Sequence, residues 1–239
     1  SYTELCDFGD PLMSWMIAVR SVVFRVAINY GIKLIMWGED GELEYGGLSI
    51  KDTAIRSLDF QKKIYLSNVN VQKYFAYYTR GELMNWLLPD EAEFEKAEIQ
   101  SMHFNYFDSW DPYKNFEVAK KHCKFEESLD RNTGTYTNFA QADTYMFDIH
   151  CYFMYLKFGF GRCSADASID IRRGALERSQ GISLVEMFDD TGNDLDWNVF
   201  ADYFGHNKQT LISNTIKHAN NDLFQIEEGK MPIKMFAIN

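Results

Sequence analysis

The stretch Trp37-Gly38-Glu39-Asp40-Gly41-Glu42-Leu43-Glu44-Tyr45-Gly46-Gly47 decides the predicted fold of this 239-residue chain. It combines glycines with carboxylates and directly follows a short apolar run at residues 33–37. A buried parallel strand that opens into such a loop usually marks the ligand edge of an α/β sheet. We therefore predict a buried strand at residues 33–37 and a ligand-binding loop after it.

A helix is predicted immediately before this strand. Apolar side chains follow helical spacing from Met16 to Tyr30, with Ser14 as a candidate N-cap and Gly31 as a candidate end of the helix. Helix, tight turn, strand and glycine loop together make half of a doubly wound α/β unit.

The rest of the chain predicts one further strand and otherwise helices. Residues 102–107 alternate large apolar and polar side chains before a polar loop, which indicates a strand, and residues from about 51 to 98 indicate inserted helices. Helical patterns dominate from residue 113 onward. The predicted fold class is α/β, with a nucleotide domain over residues 1–112 and a mostly α-helical region over residues 113–239.

Composition excludes several classes of function. The formal net charge of −11 argues against a long basic surface for nucleic acid, although a local basic pocket for one anionic ligand is compatible with it. The four cysteines show no C-x-x-C spacing, which predicts free thiols and gives no metal-site pattern. No apolar run has the length of a membrane span and no signal peptide is visible, so we predict a cytoplasmic protein.

A predicted buried helix spans residues 138–158, which are apolar on nearly every side. Asp143, His150 and Lys157 recur every seven residues and form one polar stripe, either a solvent-facing edge or the wall of a polar cavity. Asp148 falls on the opposite, apolar side. Because an unpaired buried charge is costly, Asp148 requires a partner or a helix end.

Charged residues are densest between Gly159 and Gly174. Ser164 is a candidate N-cap for a helix that places Asp166, Asp170 and Arg173 on one face, at i, i+4 and i+7. This face is either a functional site or a surface salt-bridge ladder. The glycines and Arg162 ahead of the helix also suit an anion, because free N–H groups and a guanidinium would converge on it.

Several motifs in consistent order carry a resemblance to a known family. The chain resembles the N-acetyl sugar amidotransferase family over nearly its whole length. The motifs are Met13–Ile17, Trp37–Glu42 with Glu44–Gly47, Trp110–Asn115, and Lys157–Arg162 running through Ile171–Gly174, with Asp202–His206 as a less diagnostic addition.

The resemblance implies a Rossmann-like nucleotide domain of the PP-loop ATP pyrophosphatase group (adenine nucleotide α-hydrolase-like). Such enzymes convert an acetamido group to an acetamidino group in sugars of bacterial surface polysaccharides, or in nonulosonic acids such as pseudaminic and legionaminic acid. ATP, with Mg²⁺, would activate the amide oxygen as an adenylate, and ammonia would then displace AMP. The implied partners are a glutaminase subunit and an ammonia-channelling subunit similar to those of imidazole glycerol phosphate synthase.

The sequence departs from the family pattern at its start. The phosphate-binding signature Ser-Gly-Gly-x-Asp-Ser and the N-terminal cysteine cluster are both absent. We therefore expect this chain to be the C-terminal portion of the enzyme, and to bind ATP poorly and be inactive when isolated.

The resemblance also implies site residues. Nucleotide or Mg²⁺ contacts are implied for Gly38 and Glu39, with Glu42 and Glu44 as further candidates, against the alternative of a turn glycine and solvated acids. Substrate phosphate or carboxylate contacts are implied for Arg162, Asp166, Arg172 and Arg173. Ring stacking is implied for Tyr45 and Trp110, although aromatic residues are more often part of the core. No residue is identified as a general base.

Two other functions stay open. A related adenylating enzyme, such as a tRNA thiolation enzyme, would need a basic RNA-binding surface and sulfur-handling cysteines, and neither pattern is present. A non-catalytic subunit that only docks a glutaminase would explain the missing phosphate-binding loop.

Overall fold

The computed structural model describes residues 2–39, 54–66, 78–140, 144–227 and 229–238. The chain divides into two compact units. The strand unit comprises Met13–Trp110, and the helical unit comprises Ser1–Leu12 together with Asp111–Asn239. The first twelve residues therefore fold with the C-terminal half of the chain.

The described part of the chain is mostly helical, with a small sheet content. Its elements, in chain order, are α1 (Tyr2–Phe8), α2 (Met13–Tyr30), β1 (Leu34–Trp37), α3 (Leu58–Phe60) continued by a π-helical turn (Gln61–Tyr65), a 3₁₀ turn (Met84–Trp86), α4 (Glu91–Ala97), β2 (Gln100–His103), a second 3₁₀ turn (Phe104–Tyr106), α5 (Pro112–Cys123), α6 (Met146–Phe158), α7 (Arg162–Arg172), α8 (Arg178–Phe188), α9 (Trp197–Phe204), α10 (Lys208–Ile216), β3 (Phe224–Gln225) and β4 (Ile233–Lys234).

The strand unit contains the predicted helix and the predicted parallel strand. β1 and β2 pair in parallel, from Leu34 opposite Gln100 to Trp37 opposite His103, so their carboxyl ends lie side by side. α2 covers one face of β1 and buries Phe24 against Ile35. Gly31 ends α2 with a φ of 66°, as predicted, because glycine adopts this left-handed conformation without steric cost.

Three details of the predicted strand unit are wrong. α2 begins at Met13, so Ser14 lies in its first turn; the preceding turn is closed by the Asp10 carboxylate, which accepts a hydrogen bond from Leu12 N–H at 2.9 Å. β2 ends at His103, because the next three residues turn into a 3₁₀ helix. β1 is only half-buried, since Leu34 and Met36 are exposed on the face that α2 does not cover.

The helical unit has the larger core. It is built from α1, α6, α9, α10 and β3, and its buried members are Leu5, Ile149, Tyr152, Phe153, Tyr155, Leu156, Leu195, Trp197, Phe200, Ala201, Leu211, Ala219 and Phe224. α1 is an integral part of this core, because Leu5 is 0% exposed. The second half is mostly α, as predicted; β3 and β4 add a two-residue antiparallel pair.

Polar contacts also attach the N-terminal residues to α6. Lys157 Nζ donates to the Phe8 carbonyl at 2.9 Å, and His150 Nδ1 lies 3.0 Å from Asp10 Oδ1. Two members of the predicted polar stripe, His150 and Lys157, therefore contact the N-terminal residues. The third member, Asp143, lies outside the described residues. α6 is also shorter than predicted, because it begins at Met146.

The cysteines and the helix lengths bear on two predictions from composition. Cys6, Cys123, Cys151 and Cys163 are free thiols, as predicted. Within the described ranges, no single helix is long and apolar enough to cross a membrane; α1 and α2 meet that test only when they are taken together.

Candidate functional site

Gly38 and Glu39 lie where the sequence predicts the ligand edge, directly after β1. Both residues are exposed, and among the described residues no atom beyond the chain neighbours lies within 4 Å of the position that a Cβ atom would take on Gly38. The described residues therefore leave the Gly38 backbone uncovered at this point. Glu42, Glu44 and Tyr45 lie outside the described residues.

A cluster of buried and half-buried polar and aromatic side chains supports this edge from within the strand unit. We call it the strand-end cluster; its members are Arg20, Trp37, Gln61, Tyr65, Ser101 and His103. The Arg20 guanidinium lies 4.0 Å from the ring centroids of both Trp37 and Tyr65. Cation–π attraction is strengthened in such a desolvated position, so the two rings and the cation fix one another.

Hydrogen bonds extend the strand-end cluster to both strands. Trp37 Nε1–H donates to Ser101 Oγ at 2.9 Å, and His103 Nδ1 lies 2.7 Å from the Glu39 carbonyl oxygen. Sequence reasoning missed Arg20 and His103. A signal was available for Arg20, which with Arg25 is one of two cations in the otherwise mostly apolar predicted helix.

The C-terminal end of α7 carries a second group of polar side chains. We call it the Arg173 cluster; its members are Asp111, Tyr113, Tyr136, Asp170 and Arg173. Arg173 Nε donates to Asp170 Oδ1 at 2.7 Å, and its Nη1 lies 3.5 Å from Asp111 Oδ2. The Arg173 guanidinium also lies 4.5 Å from the centroid of the Tyr113 ring.

The Arg173 cluster is buried on one side and open on the other. The Asp170 side chain is 6% exposed and accepts a hydrogen bond from Tyr136 Oη–H at 2.7 Å, whereas the Arg173 side chain is 27% exposed. Burial raises the pKa of Tyr136, and its bond to Asp170 raises it further, so the phenol remains a donor. The bond to Asp170 raises the pKa of Arg173, which keeps the guanidinium charged.

Asp166 lies on the same helix but has a different partner. The sequence predicts that Asp166, Asp170 and Arg173 are adjacent; the structure pairs Asp170 with Arg173, and Asp166 accepts a hydrogen bond from Thr135 Oγ1–H. Burial raises the pKa of Asp166, while the Thr135 bond and the charge of Arg162 oppose the shift. Asp166 therefore holds its proton at a higher pH than an ordinary carboxyl group.

The N-terminal end of α7 is filled by a carboxylate of the chain itself. Asp189 accepts hydrogen bonds from Gly161 N–H at 2.7 Å, Ser164 N–H at 3.0 Å and Ser164 Oγ–H at 2.8 Å. These are donors that the sequence assigned to a bound anion. Ser164 is not the N-cap, because the helix begins at Arg162 and Gly161 precedes it.

The other predicted site residues are dispersed within the helical unit. Arg162 is 5% exposed, donates to the Ala140 carbonyl oxygen and lies 5.2 Å from the Phe147 ring centroid. Arg172 is exposed one residue before Arg173. Asp148 has the partner that its burial requires, because it forms a hydrogen bond with Thr133; burial still raises its pKa.

Trp110, the predicted stacking residue, is partly buried in the strand unit. Within the described part of the chain, no group of three or more His, Cys, Asp or Glu side chains is placed to hold a metal ion.

A comparison with protein families identifies the region that contains α6 to α10. Residues 133–237 match the family model described as LPS biosynthesis protein WbpG-like, C-terminal domain. This part of the chain is similar to that family. The match confirms the predicted resemblance for the C-terminal portion. No curated protein matches the chain in a sequence comparison.

The WbpG-like match includes most of the side chains described at the two ends of α7. Tyr136, Asp166, Asp170, Arg173 and Asp189 lie within it, whereas Asp111 and Tyr113 lie before its first residue. The family's name associates it with lipopolysaccharide biosynthesis. The Arg173 cluster thus joins residues of the WbpG-like region with the N-terminal end of α5.

Proposed function

We propose that this chain is the C-terminal portion of a cytoplasmic, ATP-dependent N-acetyl sugar amidotransferase that acts in the biosynthesis of a bacterial surface polysaccharide. The observation that carries the proposal is the WbpG-like match over residues 133–237, which contains the polar end of α7. The ordered motifs of the strand unit support the same family.

Within the strand unit, the residues that we propose for nucleotide binding lie at the carboxyl end of β1. Ligands of parallel α/β sheets bind outside the carboxyl ends of the strands, and Gly38 and Glu39 are exposed there. The open backbone at Gly38 suits close approach by a nucleotide, and the Glu39 carboxylate is a ligand type that Mg²⁺ prefers. Bound ATP would supply the activation that makes an amide oxygen replaceable by ammonia.

Within the helical unit, the residues that we propose for sugar binding are those of the Arg173 cluster. Its single guanidinium is already paired with Asp170 and lies near Asp111, so little positive charge is left for a phosphate. Carboxylates accept hydrogen bonds from sugar hydroxyl and amide groups, and an aromatic face such as that of Tyr113 packs against a sugar ring. The cluster therefore suits a polar sugar better than a phosphate group.

The ammonia for this reaction would come from a separate glutaminase subunit through a channelling subunit. Neutral ammonia is nucleophilic without a general base, so the main requirement is stabilisation of the charge that develops on the imidate carbon substituents. We propose Asp166 as a hydrogen-bonding group for the substrate, because it lies on the same helix as Asp170 of the Arg173 cluster; burial raises its pKa.

The test uses the longest reading frame that contains this chain. The protein is incubated with ATP, Mg²⁺, an ammonium salt and a panel of di-N-acetylated sugars, while sugar mass and AMP release are followed together. We expect an amide-to-amidine mass change coupled to AMP, and no product without ammonium. Folded protein that gives neither signal on a broad panel would contradict the proposal and favour a non-catalytic subunit that docks a glutaminase.

A matched pair of variants tests the residues proposed for sugar binding. Arg173→Gln removes the guanidinium from the cluster, and we expect turnover to fall by about 10- to 100-fold, which corresponds to one or two positioning contacts. Arg178→Gln, at the exposed start of α8, is the control and keeps wild-type turnover. Equal turnover in both variants would remove Arg173 from the site.

A further inference from the structure

His103 occupies a position that the proposed reaction does not yet use. It is the last residue of β2, it stands opposite Trp37 in the parallel register, and it is only 1% exposed. Its ring therefore lies at the carboxyl ends of both strands, beneath the edge where Gly38 and Glu39 are exposed.

The hydrogen bonds of His103 define its tautomer. The Glu39 carbonyl oxygen only accepts, so the 2.7 Å contact requires a proton on His103 Nδ1. In the neutral ring, Nε2 is then an acceptor, and Tyr65 Oη–H donates to it at 3.1 Å. Both nitrogens of the imidazole are therefore engaged with protein groups.

Stacking fixes the plane of the same ring. The ring centroids of Tyr65 and His103 are 5.4 Å apart, and the two ring planes are inclined by 15°. The Tyr65 ring is held in turn by the Arg20 guanidinium. This guanidinium lies 4.0 Å from the Tyr65 ring centroid and 4.0 Å from the Trp37 ring centroid. His103 thus meets the Glu39 carbonyl with an orientation that its neighbours have set in advance.

The carbonyl group that His103 contacts belongs to Glu39, the residue after Gly38. Gly38 has no side chain to restrict it, and no described residue beyond its chain neighbours lies within 4 Å of the position of a Cβ atom, so the backbone here would otherwise sample a wide range of conformations. A hydrogen bond to the next carbonyl removes much of that freedom. Ligand binding at the edge then costs less conformational entropy, because the peptide is already ordered.

We propose that His103 is a positioning residue that holds the Glu39 carbonyl, and with it the peptide backbone that follows Gly38, in place for a nucleotide at the strand ends. This inference rests on the proposed function for its ligand. The contact between His103 and the Glu39 carbonyl oxygen is seen in the structure and does not depend on the proposed function. His103 acts through the backbone of Glu39 and does not itself touch the nucleotide.

Two amide variants separate the two nitrogens of the ring. Asn carries its N–H near the position of Nδ1, so His103→Asn retains a donor for Glu39. Gln carries its amide near the position of Nε2, so His103→Gln retains a partner for Tyr65 and loses the bond to Glu39. Tyr65→Phe is a milder third variant, because it deletes only the hydroxyl that donates to His103.

The first measurement is independent of any ligand. The ¹³C chemical shift of the Glu39 carbonyl and the ¹⁵N shifts of the His103 ring are recorded on this chain. We expect Nδ1 to carry the proton, and we expect the Glu39 carbonyl shift to be retained in His103→Asn and changed in His103→Gln. Unchanged carbonyl shifts in both folded variants would overturn the proposal.

The second measurement is ATP affinity in the longest reading frame. We expect His103→Gln to raise the Kd and KM for ATP by about tenfold with a smaller change in kcat, His103→Asn to recover most of that loss, and Tyr65→Phe to cost about two- to threefold. Equal ATP affinity in all folded variants would overturn the proposal. If His103→Gln does not fold, a wild-type affinity in Tyr65→Phe has the same meaning.

Failure of the proposed function gives a different result. A folded wild-type protein that binds no ATP would contradict the nucleotide role of this edge, and with it the proposed ligand of the positioned peptide. The carbonyl shifts of Glu39 would still show whether His103 holds the backbone. The two failures are therefore distinguishable.

Discussion

The two ends of α7 carry similar residue types and differ in what those residues contact. At the N-terminal end, the buried Asp189 carboxylate accepts hydrogen bonds from Gly161 N–H, Ser164 N–H and Ser164 Oγ–H, all groups of the chain itself. At the C-terminal end, Asp170 and Arg173 form a pair whose guanidinium is partly exposed. The comparison shows that the N-terminal end is closed by the fold, whereas the C-terminal end retains polar groups that face solvent.

The largest expected effect is at the closed end. Asp189→Ala would leave three donors of Gly161 and Ser164 without their acceptor, and we expect the free energy of unfolding to fall by about 3 kcal/mol, because bonds to a charged acceptor are the costly ones to lose. Urea unfolding measures the loss. Asp189→Asn keeps one acceptor oxygen and should lose less; a wild-type midpoint in Asp189→Ala would contradict the closed-end description.

Glycines at the two ends of α7 provide a second comparison. A Cβ atom on Gly161 would lie 2.9 Å from Asp189 Oδ1, so Gly161→Ala is expected to cost about 2 kcal/mol through crowding. Gly174 has open space around it but a φ of 76°, so Gly174→Ala is expected to cost about 1 kcal/mol through backbone strain. Thermal and urea unfolding of both variants test this order; a larger loss at Gly174 would reverse it.

The exposed end is expected to contribute little to stability. A double-mutant cycle of Asp170→Asn and Arg173→Gln measures the coupling of the pair, which we expect to be below about 1 kcal/mol because solvent screens a partly exposed guanidinium. The same two variants should lose turnover in the amidotransferase assay. A coupling of several kcal/mol would mean that the Asp170–Arg173 pair contributes to the free energy of unfolding as strongly as Asp189 does.

Sequence patterns predicted the elements whose local signals agree with their tertiary contacts. The helix that ends at Gly31 and the parallel strand at 34–37 were predicted because a capping glycine and an apolar run are local features. The resemblance in the C-terminal portion was carried by motif order, which needs no structure. In these cases the sequence signal and the physical cause lie in the same few residues.

The remaining errors come from contacts between distant parts of the chain. Ser164 is a reasonable N-cap by residue type, but Asp189, 25 residues away, supplies the acceptor for this helix end. His103 and Arg20 lie on different elements, β2 and α2, and both contact the Tyr65 ring. No periodicity within one segment contains that information.

The smallest expected effect is a difference in pH dependence between two carboxylates of the helical unit. Burial raises the pKa of Asp166 above 3.8, so the folded state binds its proton more tightly than the unfolded state. Its contribution to the free energy of unfolding is therefore greatest at low pH and decreases as the pH rises through the folded pKa. Asp166→Asn should remove that decrease.

Asp10 should show the opposite trend. Burial alone would raise its pKa, but the hydrogen bond and charge of His150, with smaller contributions from Leu12 N–H and Lys157, lower it below 3.8. Its stabilising contribution is present above the unfolded pKa and is lost as the pH falls through the folded value. Unfolding of wild type, Asp10→Asn and Asp166→Asn between pH 3 and 7 measures both trends as differences from wild type. Because Asp166 lies between the two ends of α7 and faces Thr135, a wild-type pH profile in Asp166→Asn would mean that its environment is as solvated as that of the exposed end.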